Sequence, residues 1–325
     1  MKKITTLLIT FLLLAVFAAC GEGAPTNKDD DTAANNKETV STSQSDTTQN
    51  DSEVQTENSV QNDSSKEDAQ SQNQLTFTEV VAVENEECAI EITGIEPDIL
   101  WGYALKAQLE NKSSEKTYMF SVENAAINGV QCDPFFASEV AAGKKANEEI
   151  SFSNDVLAEN GIDEYTDIEL TFRVYDSNDW TADAVARETV HIYPYGEDKA
   201  AKFVRESQPS DNVIIDNDFV TVIVTGYKDD EIWGYTANLF LINKTDKNVM
   251  FSASDVSVNG FMADPFFATS VSAGKCAFSS MSWSDSTLEE NGISEVETIE
   301  FTFRAYDEDN WLGDDFANEL ITLNP

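Results

Sequence analysis

Two acid-rich turns are the first places where this chain could do chemistry. Asp176, Ser177, Asn178 and Asp179 lead into Trp180, and Asp307, Glu308, Asp309 and Asn310 lead into Trp311, so each turn gathers several oxygen ligands. Calcium favours oxygen-rich loops of this kind. The spacing lacks the glycine and the distal glutamate of an EF-hand, and Asp and Asn form turns for their own reasons, so no metal is assigned to either turn. A second pair of motifs, Asp133-Pro134-Phe135-Phe136 and Asp264-Pro265-Phe266-Phe267, lies just after a hairpin turn, where loops carry function. Adjacent phenylalanines point opposite ways in an extended chain. At least one ring per motif is then free to offer an apolar platform to a peptide or a sugar ring, the competing role being a plug that closes the end of the fold. Trp101 and Trp233 open the best-patterned segments of the chain, where core packing competes with stacking against carbohydrate. The candidate ligand-binding residues are therefore Asp133, Phe135, Phe136, Asp264, Phe266, Phe267, Trp101 and Trp233.

Catalytic constellations fare worse. The chain has one histidine, His191, in the alternating stretch Val190-His191-Ile192-Tyr193, and the matching position later in the chain is Thr322. A Ser/His/Asp site or a histidine-held metal shared by both halves is excluded. Besides Cys20 the cysteines are Cys88, Cys132 and Cys276, matched by Val220, Ala263 and Lys145, so no disulfide is common to the two halves. A Cys88–Cys132 bond stays open, and no zinc-like spacing occurs. Carboxylates suited to glycoside hydrolysis are abundant, but no pair stands out against so acidic a background. The expectation is a protein without catalytic residues and without cofactors.

The elements that must position these groups come in two sets. Trp101-Gly102-Tyr103, Asn111-Lys112, Met119-Phe120-Ser121, Asn128-Gly129, Ala142-Gly143-Lys144, Thr171-Phe172-Arg173 and Tyr175-Asp176 return as Trp233-Gly234-Tyr235, Asn243-Lys244, Met250-Phe251-Ser252, Asn259-Gly260, Ala273-Gly274-Lys275, Thr302-Phe303-Arg304 and Tyr306-Asp307. The offset is about 132 residues before Lys112 and about 131 after Met119, the size of an independent domain rather than of a solenoid repeat. Trp101, Tyr103, Leu105, Ala107 and Leu109 alternate with polar or small residues, as do Ile168, Leu170, Phe172 and Val174, and the later copies repeat both patterns. Such period-two alternation predicts strands with one buried face. The Asn-Gly pairs are hairpin turn signals, and short helical turns are expected at 156–160 and 287–291, each ended by glycine.

Seven or eight short strands per copy, with turns every ten or so residues, predict an all-β chain of two tandem immunoglobulin-like antiparallel β-sandwich domains. The order of a strand ending in Asn-Lys, a strand leading into Asn-Gly, an Ala-Gly-Lys turn and a late strand ending in Tyr-Asp resembles the immunoglobulin-like domains found in lipoproteins of Gram-positive bacteria. The resemblance covers about 110 residues of each copy. It implies a fold and a location, and it brings no catalytic residues with it.

The expected organisation is a signal peptide over 1–19, a lipidated Cys20 with a disordered polar linker over 20–75, a first sandwich over 76–194, an interdomain linker over 195–210 and a second sandwich over 211–325. Lys2 and Lys3, the apolar run 4–17 and Ala18-Ala19-Cys20-Gly21 resemble a bacterial lipoprotein signal, with Phe17 where leucine is usual. The run is too short for a spanning helix, and an acylated Cys20 would hold the protein at the extracytoplasmic face of the cell membrane. Residues 21–74 hold almost no large apolar side chain and cannot offset their ordering entropy. Segment 195–210 is long enough for relative motion, and a short helix at 200–205 is left open. With 60 acidic against 20 basic residues the formal charge is −40, which disfavours nucleic acid and anionic lipid as partners.

The functional expectation is a membrane-anchored lipoprotein whose two modules, without enzymatic activity, bind or adhere to an extracellular protein, peptide or glycan. An exported hydrolase using paired carboxylates and a structural envelope spacer are the alternatives.

Overall fold

The computed structural model describes residues 75–325, except residues 100, 101, 135 and 154. The expected signal segment, Cys20, the polar stretch up to residue 74, Trp101 and Phe135 therefore lie outside the described residues.

The described chain is all-β. The first sandwich has β1 (Val80–Glu84), β2 (Cys88–Ile99), β3 (Gly102–Asn111), β4 (Tyr118–Ile127), β5 (Val130–Cys132), β6 (Ala137–Val140), β7 (Lys145–Phe152), helix α1 (Asp155–Glu159), β8 (Ile168–Asp176) and β9 (Ala186–Ile192). The second has β10 (Asn212–Asp216), β11 (Val220–Asp230), β12 (Gly234–Asn243), β13 (Val249–Val258), β14 (Phe261–Met262), β15 (Ala268–Val271), β16 (Cys276–Trp283), α2 (Asp285–Glu290), β17 (Ile299–Asp307) and β18 (Ala317–Leu323). In the first, sheet β1-β2-β3-β7 faces β4, β8 and β9, with β5 and β6 on β4; in the second, β10-β11-β12-β16 faces β13, β17 and β18, with β14 and β15 on β13. The chain changes sheet after β3, returns after β6 for β7 and crosses again after β7, which is the immunoglobulin-like crossing pattern.

Alternation does what the sequence demands of it. Along β8, Ile168, Leu170, Phe172 and Val174 are fully buried, and along β17 the same positions are Ile299, Phe301, Phe303 and Ala305. Each sandwich closes over its own apolar core. Both helical turns form close to their expected places.

Several repeated polar motifs turn out to hold the fold. Asn128 and Gly129 have φ of 53° and 83°, as the tight β4–β5 hairpin requires. Asn128 then reaches across, donating to the Glu164 carbonyl and accepting from the Thr166 and Asp167 amides, which pins the segment leading into β8. Asn259 repeats this with Glu295, Glu297 and Thr298. Asn111 and Asn243 are buried at strand ends, where their amides donate to Val140 and Lys116 and to Val271 and Lys247, satisfying carbonyls that water cannot reach. The following lysines clamp the neighbouring turn, Lys112 to Glu84 and the Asn85 carbonyl, Lys244 to Asp216 and the Asn217 carbonyl.

The two sandwiches touch directly as well as through the linker. Cys276 on β16 forms a parallel bridge with Val130 on β5, so that nine strands run as one sheet across both sandwiches. Gln131 donates to the Ser270 carbonyl at 2.6 Å and accepts from the Ser272 amide at 2.7 Å. Lys275 reaches Glu169 at 2.6 Å. Segment 200–205 is not helical; only Glu197–Lys199 makes a single 3-10 turn. Beyond that turn the chain is extended, the Phe203 amide donates to the Asn128 carbonyl at 2.7 Å, and the Phe203 ring packs edge-on against Phe240 and Phe278. Arg205 grips Asp211 through two hydrogen bonds of 2.7 and 2.8 Å. These contacts bridge the segment that the sequence left free for relative motion.

Candidate binding site

The Asp-Pro-Phe-Phe motif of the second sandwich divides its rings as expected. Phe267 turns inward, its ring centroid 5.8 Å from that of core residue Phe303. Phe266 turns outward and is 76% exposed. Its position is fixed by backbone, because Phe266 donates to the Ser282 carbonyl at 2.7 Å and accepts from the Ser282 amide at 3.2 Å, adding a one-residue bridge to the free edge of β16. In the first sandwich Phe136 packs edge-on against Phe172, 6.4 Å between centroids.

Trp233 meets Phe266 from the β11–β12 turn. Asp230 accepts hydrogen bonds from the Ile232 and Trp233 amides at 3.0 and 3.1 Å. These two bonds, with help from Lys228, hold its carboxyl below the usual range. Gly234 follows with φ 73°, and a Cβ there would lie 2.3 Å from the Trp283 carbonyl oxygen, so only glycine lets the chain enter β12 this close to α2. The turn therefore throws Trp233 out of the inward alternation, 56% exposed, while Tyr235, Ala237, Leu239 and Leu241 continue along the core. The Trp233 and Phe266 rings lie 6.2 Å apart at 57°, beside Ile232, which is 83% exposed.

Next to this aromatic pair a cleft of about 490 Å³ opens on the outer face of β11, β12 and β16. Trp233 forms its rim; Thr225, Asn238, Ser280 and Ser282 supply hydroxyls and an amide, and Lys228 and Asp230 form an ion pair of 3.2 Å. Glu159 and Asn160 of the first sandwich complete the wall. Its size falls in the range of small-ligand sites, and its lining combines a few polar groups with an aromatic edge.

The remaining candidates scatter. Asp264 is exposed. Asp133 lies in a different place, an intermodule groove of about 880 Å³. In the acid-rich turns, Asp176 and Asp307 accept from the Asn178 and Asp309 amides and pair with Lys116 and Lys247, which holds both carboxyls low. Those carboxylates serve as turn caps. Among the described residues no group of three or more metal-ligating side chains converges. His191 sits between Asp167 at 2.7 Å and Glu169 at 3.3 Å.

What the sequence reading missed is the apolar patch that docks the sandwiches. Ile223, Phe240, Ile242, Cys276 and Phe278 all face outward from the second sandwich and line the seam with Phe203. The matching residues of the first copy are Glu91, Gln108, Glu110, Lys145 and Asn147. That contrast was available in the sequence, since an outward face that is charged in one copy and apolar in the other marks a covered surface.

No family model matches the chain, and no curated protein matches it. Among solved structures, a YadV chaperone is similar at 13% identity over 68% of this chain and 92% of that one, with a TM-score of 0.22, a likeness too slight to support any inference.

Proposed function

We propose that the protein is a lipid-anchored, extracytoplasmic binding protein, without catalytic activity, whose second sandwich recognises a glycan. The observation that carries this reading is the exposed Trp233–Phe266 pair at the rim of a hydroxyl-lined cleft. Sugar rings present apolar C–H faces to aromatic side chains and hydroxyls to polar ones, and this site offers both within one span of sheet. The rings are held by an Asp-capped turn and a backbone bridge, so little ordering cost is left for the binding step. The lipid anchor at Cys20 rests on the signal-like sequence alone.

The hydrolase alternative needs a carboxyl kept protonated near neutrality. Every carboxylate with a displaced pKa among the described residues is displaced downward instead, by backbone amides or by Lys and Arg. A spacer would have no use for an exposed Trp-Phe pair.

The test is an array of surface glycans and peptides probed with the full chain and with Trp233→Ala. Saturable glycan binding that Trp233→Ala abolishes supports the reading. Binding indifferent to Trp233, or confined to peptides, refutes it.

A further inference from the structure

A second cleft lies where the two sandwiches meet, and its chemistry is different. Its volume is about 880 Å³, its floor is the outer face of β4, β8 and β9, and its far wall comes from β15, β16 and the turn after β17. It exists only because Gln131, Lys275 and Phe203 hold the sandwiches together.

The charge in this groove is one-sided. Glu123, Asp133, Glu169, Glu308 and Asp309 line it, against Arg187 as the cation of the lining. Glu123 is paired with Arg187 at 2.9 Å and Glu169 with Lys275 at 2.6 Å. Glu308 accepts from the Ser270 hydroxyl, a bond that leaves its charge in place. Asp133, Glu308 and Asp309 thus add negative charge that no lining cation balances, on an already acidic molecule, and a cleft with low-dielectric walls concentrates that field.

Two exposed indoles lie close in sequence to groove residues. Glu308 and Asp309 are followed directly by Asn310 and Trp311, which is 60% exposed. On the other sandwich Arg173, two residues along β8 from the groove residue Thr171, donates to the Trp180 carbonyl at 3.1 Å and stacks over Tyr175, leaving the indole 71% exposed. Arg304 does the same for Trp311, at 2.8 Å and over Tyr306. An exposed tryptophan beside carboxylates attracts a cation through its ring face as well as through charge.

We infer that the intermodule groove binds an extended polypeptide segment bearing lysine or arginine. A basic strand lying across the floor meets the unbalanced carboxylates of Asp133 and, on the far wall, of Glu308 and Asp309. This site adjoins the glycan cleft through Phe278 and Ser279 of β16, but its carboxylates belong to it alone, so it stands or falls on its own.

The test uses the full chain and an N-acetylated (Lys-Gly)5 peptide, titrated calorimetrically at two salt concentrations. The double variant Asp133→Lys/Asp309→Lys alters the groove, and Glu79→Lys/Glu319→Lys makes the same change in net charge at exposed positions outside it. The expected result is 1:1 binding that weakens more than tenfold in the groove variant and about twofold or less in the control. Equal losses in the two double variants would mean diffuse attraction and overturn the proposal, as would the absence of saturable binding to the peptide.

Discussion

Replacing Phe203 by alanine should loosen the seam between the sandwiches while leaving both folded. Phe203 makes two edge-on ring contacts, with Phe240 at 6.4 Å and Phe278 at 5.9 Å between centroids. Each such pair contributes about 0.5–1.5 kcal/mol beyond burial. A fully buried phenylalanine loses about 3–5 kcal/mol on truncation, and Phe203 is only partly buried, so about 2–3 kcal/mol is expected here. That is roughly a hundredfold in the docked-to-undocked ratio. The backbone bond from Phe203 to Asn128 survives the change, so the loss is confined to packing. Hydrogen exchange reads it directly. The Cys276 amide, bonded to the Gly129 carbonyl, and the Ser272 amide, bonded to Gln131, should each lose about two decades of protection. Amides of β8 and β17, deep in separate cores, should not change. Unaltered exchange at Cys276 and Ser272, or an equal loss in β8 and β17, would refute the seam as described.

Asp211 gives a pH signature. The Arg205 guanidinium holds its carboxyl down to about 2, against 3.8 for a free aspartate, and both side chains are largely buried. A depressed carboxyl stabilises the folded form above its unfolded pKa and loses that contribution as pH falls through the folded value, so about 2 kcal/mol should vanish between about pH 4 and pH 2. Asp211→Asn should flatten that part of a denaturation-versus-pH curve. Two glycines separate strain from collision: Gly129→Ala meets no atom within 4 Å and should cost about 1–2 kcal/mol from its positive φ alone, whereas Gly234→Ala, 2.3 Å from a carbonyl, should cost clearly more in a urea titration. Burial raises the Cys88 and Cys276 thiols to about 11 and Cys132 to about 12. Ellman's reagent at pH 8 should therefore leave these three nearly untouched until guanidinium unfolds the chain.

Much of the scaffold could be read from alternation and turn residues. The strands of 102–109 and 168–174, the Asn-Gly hairpins and the short helices before Gly161 and Gly292 follow from local pattern, and the structure keeps them. Short strands without alternation of their own, β6 and β15, escaped because four residues carry too little of a period. Trp233 broke its pattern for a local reason, the Asp230 cap and the positive φ of Gly234, and that break is what exposes it. The Phe-Phe motif was readable as one ring in and one out, but which ring goes out depends on the bridge to Ser282, a contact with no sequence signature. The seam was missed because each copy was read for its inward face, while Phe240 and Phe278 lie on the outward one.

The chain carries five tryptophans, so indole signals in a nitrogen–proton correlation spectrum give a map of its binding surface. Titration of the full chain with amino-sugar oligosaccharides tests the proposed glycan site most directly. The Trp233 indole should shift in a saturable way while Trp283, buried and bonded to the Ala263 carbonyl at 2.9 Å, stays fixed. A Trp233 signal that never moves, while another indole does, would contradict it.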